Sequence, residues 1–169
     1  MNPTSTISST PSEAVPGVRA RLAQAGLELP RAQSPAYSYA AVTVWGDIAF
    51  VSGQIPRWNG QVSHSGVLGV DKTVEEATEA ARVCALNALA QLDASVGLDR
   101  VAQVLKLMVF VASASDVVAQ PTAAEGASQV LLAAFGEAGR HARTALGVPR
   151  LPADALTEID LVVGLHPAP

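Results

Sequence analysis

Residues 73–113, "TVEEATEAARVCALNALAQLDASVGLDRVAQVLKLMVFVAS", contain the longest predicted helix and the most apolar predicted strand of the chain. Thr73 and Glu76 have the spacing of a capping box at a helix N-terminus, and Gly97 is a typical residue just beyond a helix end. After it, residues 101–113 are dense in Val and Leu with Lys106 as their one charge, which predicts a central strand buried on both faces. The helix has an apolar stripe that predicts packing against a sheet: Val74, Ala77, Ala81, Cys84, Ala88 and Leu92.

The stretch before this helix and strand predicts a β-hairpin followed by a loop. Two runs rich in β-forming residues, 37–45 and 48–52, meet at Gly46-Asp47, a turn pair that tolerates positive φ. Residues 57–71, "RWNGQVSHSGVLGVD", are rich in turn formers and are predicted as a loop with room for one short edge strand.

The stretch after it predicts a second helix and two closing strands. Pro121 and Glu125 mark the start of the helix and Gly136 marks its end. Residues 142–148 and 156–165 are predicted as strands on either side of a proline-containing loop. The order of two strands, helix, strand, helix and two strands predicts an α+β domain. Its mixed β-sheet would carry both long helices packed on one face.

The sequence divides into three parts. Residues 1–13 are rich in Ser, Thr and Pro and are predicted to be a mobile tail. Residues 14–34 are predicted as a short helix and a connector, because weak helical periodicity ends at Gly26 and prolines follow. Residues 35–166 are predicted as a single domain.

Composition excludes several classes of function. The net charge of -4 over 169 residues leaves no basic footprint for nucleic acid. One cysteine excludes an internal disulfide, and three scattered histidines lack the spacing of a zinc site, so no metal is expected. There is no apolar run of about 20 residues and no secretory signal pattern, so the expected location is cytoplasmic, away from membranes.

Arg143 and Glu158 are the two charges that stand out in the closing strands. If Val148 pairs with Leu156, Arg143 lies roughly 10 Å from the pairing partner of Glu158 and on the opposite face, unless Gly147 marks a bulge. Periodicity alone therefore favours two surface residues rather than a salt bridge.

One face of the predicted sheet has no helix to cover it. Side chains on this face are mixed in character, neither a second core nor a plain polar surface. We therefore expect a contact between subunits there. The positions assigned to this face in the closing strands are Arg143, Ala145, Gly147, Glu158 and Asp160.

Three potential nucleophiles or bases have simpler structural interpretations. Cys84 lies in the apolar stripe of the helix and has no histidine near it in sequence, so it is predicted to be a core residue. His141 precedes a strand and is interpreted as structural or exposed. Ser52 lacks the Gly-x-Ser-x-Gly context of a hydrolase nucleophile and is interpreted as a turn hydroxyl.

Two motifs give the sequence a family resemblance. "FVSGQIP" at 50–56 and "HARTALGVPRLPADALTEIDLVV" at 141–163, together with the helix and strand between them, resemble the RidA/YjgF family of reactive intermediate deaminases, also labelled endoribonuclease L-PSP. The match covers residues 35–165. It implies a chorismate-mutase-like α+β subunit in a homotrimer with sites between subunits. It also implies hydrolysis of 2-imino and 2-enamino acids to 2-oxo acids and ammonia, without a cofactor.

The resemblance assigns roles to individual residues. Arg143 matches the family arginine that holds the carboxylate of a small substrate, and Glu158 matches the acidic residue that positions the attacking water. A backbone carbonyl near Ala145 assists with the water. Tyr39 and Ser52 match positions that line the substrate pocket.

The sequence also departs from the family pattern. Ala145 stands where a cysteine is often found, Ser128 stands at a position that often holds asparagine, and His141 alters the approach to Arg143. The N-terminal extension is also longer than in compact members, so the chain resembles a distinct subgroup.

Two other functions remain open at this stage. A non-catalytic trimer could use the same cleft to bind small carboxylates or a protein partner. RNA cleavage follows only from the older family label, and the acidic balance of the chain argues against it.

Overall fold

Residues 16–167 are described by a computed structural model of the chain. The predicted tail, residues 1–13, lies outside these described residues. In chain order the elements are α1 (Val18–Gln24), β1 (Val42–Trp45), β2 (Ile48–Gln54), β3 (Arg57–Trp58), β4 (Gln61–Val62), α2 (Val74–Ser95), β5 (Val101–Ala112), α3 (Gln120–Ala123), α4 (Glu125–Phe135), β6 (Ala142–Val148) and β7 (Thr157–Leu165).

Five of the strands form one mixed sheet in the order β1-β2-β7-β5-β6. Neighbouring strands run antiparallel except β5 and β6, which are parallel and are connected through α3 and α4. Helices α2 and α4 lie side by side on one face of this sheet, and the predicted α+β class with helices on one face is confirmed.

The long helix α2 begins and packs as its sequence predicts. The Thr73 hydroxyl accepts a hydrogen bond from the Glu76 backbone N–H at 3.2 Å, and the Thr73 N–H donates to the Glu76 carboxylate at 2.9 Å. This reciprocal capping box satisfies two N–H groups that a helix start otherwise leaves open. The buried stripe is built largely from alanine, so the helix backbone approaches the sheet closely: Ala77, Ala80, Ala81, Ala85 and Ala88.

The loop predicted over residues 57–71 contains two short strands rather than one. β3 and β4 pair with each other, and Asn59 and Gly60 between them both have positive φ, at 51° and 82°. A two-residue Asn-Gly turn is the usual connection in such a hairpin. The pair forms its own two-stranded sheet, separate from the main one.

The first predicted strand is shorter than the pattern of residues 37–45 suggests. β1 starts at Val42, and the turn to β2 uses Gly46 with φ of 58°, as predicted for this hairpin. Residues 37–41 belong instead to the connector after α1. Their β-forming side chains, including Tyr37 at 83% exposed, therefore do not enter the sheet.

β5 is buried on one face within the chain, so the prediction of burial on both faces is wrong for the single subunit. Leu107, Val109 and Val111 are at most 1% exposed under the helices, whereas Lys106 and Phe110 on the other side are half-buried. Among residues 16–167 no helix covers that second side, which we call the open face. On β5, β6 and β7 its side chains are Lys106, Met108, Phe110, Thr144, Leu146, Glu158, Asp160 and Val162.

The pairing assumed for the closing strands is also wrong. β5 lies between β6 and β7, so Val148 pairs with Ala112 rather than with Leu156. β6 pairs with β5 without a register shift from Ala142 to Val148, so Gly147 marks no bulge.

Arg143 and Glu158 still lie on opposite faces of the sheet. Arg143 pairs with Leu107, whose side chain is in the core, while Glu158 pairs with Phe110 on the open face. The five positions assigned to the uncovered face are therefore divided. Arg143, Ala145 and Gly147 lie on the helix side, and only Glu158 and Asp160 lie on the open face.

Gly126→Ala is expected to destabilise the fold. A methyl group on Gly126 of α4 would lie 1.9 Å from the backbone oxygen of Thr78 in α2, so the two helices would have to move apart. Overpacking of this kind costs about 2 kcal/mol, more than the helix propensity that alanine adds. Denaturant unfolding at fixed protein concentration would measure the loss. Gly164→Ala is the control, because its methyl group would meet ordinary contacts at 3.9 Å; equal stability of the two variants would contradict the expectation.

Candidate functional site

The predicted site residues form two groups on opposite sides of the sheet. Arg143, Ser128 and Ala145 lie on the helix side at the edge strand β6, and we call this set the arginine group. Glu158 points to the open face and lines, with Ser52 and Tyr39, a cavity beside β2 and β7, and we call this set the glutamate group. Within one chain the two groups do not meet.

The guanidinium of Arg143 is held by three partners. Nη1 donates to the Glu125 carboxylate at 2.5 Å and to the Ser128 hydroxyl at 3.0 Å, and Nη2 donates to the Pro121 carbonyl at 3.2 Å. All three partners come from the α3–α4 connection between β5 and β6. The side chain is 24% exposed, so the guanidinium is oriented and still reaches the surface.

A hydrogen-bond chain continues from Arg143 through Ser128 to His141. Ser128 is buried, with its hydroxyl 3.1 Å from His141 Nε2, and His141 Nδ1 lies 2.6 Å from the Gly139 carbonyl. Because a carbonyl only accepts, neutral His141 carries its proton on Nδ1, and Nε2 accepts from Ser128. The Ser128 oxygen is then free to accept from Arg143. His141 thus orients the arginine group, a link that its loop position in the sequence did not indicate.

The surface beside this chain is a small concavity of about 210 Å³. It is shallow, and both charged walls are arginines. Its lining residues are Ser128, Leu132, Arg140, His141 and Arg143.

Glu158 lies half-buried on the open face of β7, at the edge of a larger cavity of about 560 Å³. Burial raises the pKa of its carboxyl above the usual glutamate range, and the nearby Asp160 carboxylate raises it further. Burial likewise raises the pKa of Asp160, with Lys106 opposing the shift. The carboxylate of Glu158 is therefore a stronger base than an exposed one.

A β-bulge brings Ser52 and Gly53 against Glu158. The pairing of β2 with β7 shifts between Val51 and Gln54, and the two residues of the bulge line the cavity. A methyl group on Gly53 would lie 2.0 Å from Glu158 Oε1, so the carboxylate occupies space that only glycine leaves free. The Ser52 hydroxyl donates to the Ala41 carbonyl at 3.2 Å, which fixes its side chain.

Two buried amides on α2 hold the walls of this cavity. Gln91 Nε2 donates to the Gln33 carbonyl at 2.7 Å, and Asn87 Nδ2 donates to the Arg57 carbonyl at 2.8 Å. The first contact holds the connector after α1 along the cavity. Tyr39 of this connector lines the cavity and is half exposed. The apolar stripe of α2 gave no indication of these contacts, because the two amides lie beside it.

Cys84 is a core residue, as its place in the helix predicts. It is fully buried, and its Sγ lies 3.2 Å from the Thr157 hydroxyl. Burial raises the pKa of the thiol, which opposes any role as a nucleophile.

Among residues 16–167 the His, Cys, Asp and Glu side chains form no cluster of three suited to a metal ion. No helix in that range has the length and apolar character to cross a bilayer.

Comparison with known proteins gives consistent matches along nearly all of the described chain. The family model described as "YjgF/chorismate mutase-like, putative endoribonuclease" matches residues 19–165. Protein TCP17 of Trypanosoma cruzi is 44% identical over 151 residues, which cover 88% of this chain and 94% of TCP17.

Two solved structures illustrate the range of structural similarity. A "putative endoribonuclease" from Shewanella oneidensis has a TM-score of 0.85 and 36% identity, covering 89% of this chain and 100% of its own. E. coli TdcF, solved with bound serine, has a TM-score of 0.57 and 26% identity, covering 82% of this chain and 97% of its own.

Proposed function

Because the chain belongs to the YjgF/chorismate mutase-like family, we propose that it hydrolyses reactive 2-imino and 2-enamino acids to 2-oxo acids and ammonia. One observation carries the proposal. A preorganised guanidinium and a carboxylate of raised pKa stand at two accessible surfaces of the same subunit. These are an anion-binding group and a base, the two functions that hydrolysis of an imino acid requires.

We infer that each site is completed between subunits of a homotrimer. Arg143 and Glu158 lie on opposite faces of one sheet, so a single substrate meets both only if they come from different chains. Large apolar side chains on the uncovered side of β1 and β2 support such an assembly. Trp45 is 82% exposed, Phe50 is 48% exposed, and contiguous surfaces of this kind are usually covered by another subunit.

The proposed reaction needs only a held substrate and one activated water. Arg143 binds the substrate carboxylate, and its planar fork suits a bidentate pair. Glu158 takes a proton from water as the water oxygen bonds to the imine carbon, whose C=N electron pair moves to nitrogen. Glu158 then returns that proton to nitrogen, which gives a carbinolamine. Glu158 next transfers the hydroxyl proton to nitrogen, the C–N bond breaks, ammonia leaves, and the oxygen forms the carbonyl of the 2-oxo acid. An enamine substrate first gains a proton from water at its β-carbon and loses one from nitrogen, which gives the imine.

The serine in E. coli TdcF supports this substrate class. Serine carries a carboxylate and a nitrogen on the same carbon atom, as a 2-imino acid does. A ligand of this kind in a relative 26% identical is consistent with recognition of small α-nitrogen carboxylates by the present chain.

The direct test is to add the purified protein to an amino-acid oxidase reaction that releases a 2-imino acid. We expect 2-oxo acid and ammonia to appear faster than by spontaneous hydrolysis, and we expect less imine to be captured when semicarbazide is present as a trap. Unchanged rates across several imino acids would contradict the proposed function.

A specific observation also favours a second candidate, a non-catalytic trimer that binds small carboxylates or a protein partner. Arg143 is already paired with Glu125, and Ser128 rather than asparagine stands beside it. Thermal stabilisation by a small carboxylate that depends on Arg143, without turnover, would favour this candidate over the deaminase.

A further inference from the structure

The three partners of Arg143 differ in how firmly they are fixed. The Pro121 carbonyl is part of the backbone, and the Ser128 hydroxyl is buried and bonded to His141. The Glu125 side chain is 51% exposed, and its hydrogen bond to Arg143 is its one contact of this kind within the described residues. The Glu125 contact is therefore the one that can exchange while the guanidinium stays in place.

Glu125 presents to Arg143 the same chemical group as the proposed substrate. Its Oε1 lies 2.5 Å from Nη1, the position that one oxygen of a bidentate ligand carboxylate would take. A guanidinium has five N–H donors, and three are engaged here, with both Nη1 donors among them. A ligand that uses the Nη1–Nη2 edge must replace a partner of Nη1, and of the two partners Glu125 is the exposed one.

Breaking the contact between Glu125 and Arg143 costs little free energy. Glu125 is the first residue of α4, where the positive end of the helix dipole stabilises a carboxylate whether or not it touches Arg143. Water also reaches the side chain, so its charge is not left buried. The Ser128 and Pro121 contacts keep the guanidinium oriented during the exchange.

We propose that Glu125 is a specificity-determining residue that competes with the substrate for Arg143. The proposal rests on the proposed function, because it assigns the same arginine to ligand binding. Glu125 keeps the guanidinium paired in the free protein, so a neutral ligand gains no charged partner by approaching it. Only a ligand with its own carboxylate replaces the lost ion pair, which restricts the site to anionic substrates.

The test is the affinity for 2-oxobutanoate, a stable 2-oxo carboxylate, measured by calorimetry on the full-length protein. We expect Glu125→Gln to bind it roughly two- to fivefold more tightly than wild type, which corresponds to the strength of partly exposed ion pairs. In the turnover assay the same variant should lower KM and leave kcat nearly unchanged. Glu137→Gln is the matched control, because Glu137 pairs with the neighbouring Arg140 and carries the same charge.

The binding measurement tests the role of Glu125, and the turnover assay tests the proposed deaminase function. Tighter binding by Glu125→Gln, but not by Glu137→Gln, supports the competitor role even if no variant shows turnover. Unchanged or weaker binding by Glu125→Gln overturns it, even if the protein is an active deaminase. Equal tightening by both variants would reflect general electrostatics and would also overturn it, as would undetectable binding by every variant.

Discussion

Arg143→Ala is expected to lower kcat/KM for a 2-imino acid by about two to three orders of magnitude, since two charge-assisted hydrogen bonds to the carboxylate disappear and the substrate loses its orientation. The fold should tolerate the change. Ser128 keeps its bond to His141, and Glu125 is exposed to water once its partner is removed. Steady-state kinetics together with thermal unfolding would measure both effects.

Two further variants make the Arg143 result specific. Arg143→Lys keeps the charge but lacks the planar fork, so it should recover only part of the lost activity. Arg140→Ala removes an exposed arginine from the same concavity, and it should behave like wild type because its partner is the surface residue Glu137. Wild-type kinetics for Arg143→Ala would remove this residue from the mechanism.

Glu158→Gln is expected to lower kcat by about two to four orders of magnitude with little change in KM. Glutamine keeps the size of the side chain beside Gly53, but it cannot take a proton from water. Single-turnover rates with an imine generated in situ would separate this chemical defect from a binding defect. Normal kcat in this variant would show that another group activates the water.

The pH dependence provides a second test of Glu158. Its raised pKa means that wild-type kcat should fall on acidification with a midpoint above that of an ordinary glutamate. Asp160→Asn removes the repulsion that contributes to the raised pKa, so it should move this midpoint to lower pH. A midpoint unaffected by Asp160→Asn would mean that the two carboxylates do not interact.

The same pKa has the opposite consequence for stability. A carboxyl whose pKa is raised by folding binds its proton more tightly in the folded state, so its contribution to stability is lost as pH rises through that pKa. Glu158→Gln should therefore raise the melting temperature at neutral pH and have little effect in acid. Loss of activity with a gain in stability would be expected of a base retained for function.

Local patterns predicted the elements better than their arrangement. The Thr73–Glu76 spacing and the alanine stripe identify α2, since capping and periodicity act over a few residues. The position of β5 between β6 and β7 is not encoded in this way. Alternation along a strand shows which of its side chains share a face, but it does not show which other strand lies beside it in the sheet. The Val and Leu content of β5 was equally compatible with burial of both its faces by the same chain and with burial of one face by another molecule.

As with the fold, the sequence predicted part of the candidate site. Family motifs indicated Arg143 and Glu158. The prediction that they lie on opposite faces used a pairing of Val148 with Leu156 that the structure does not contain. Glu125, Gly53 and Gln91 were missed, because each acts through a contact with a different element of the fold. A surface glutamate in a helix, a glycine in a strand and a glutamine beside an apolar stripe have no distinctive local pattern.

The two groups of site residues differ in how far along the chain their contacts reach. The partners of Arg143 are 15 to 22 residues away, all within the continuous stretch from β5 to β6. Glu158 and the β2 bulge beside it are roughly a hundred residues apart and meet only when β7 pairs with β2. Contacts between near neighbours in sequence have a smaller loop-closure entropy cost and tend to form earlier in folding than contacts between distant segments. Loss of the β1–β2 hairpin would leave Arg143 with its three partners, whereas Glu158 on β7 would lose the Ser52–Gly53 wall of its cavity.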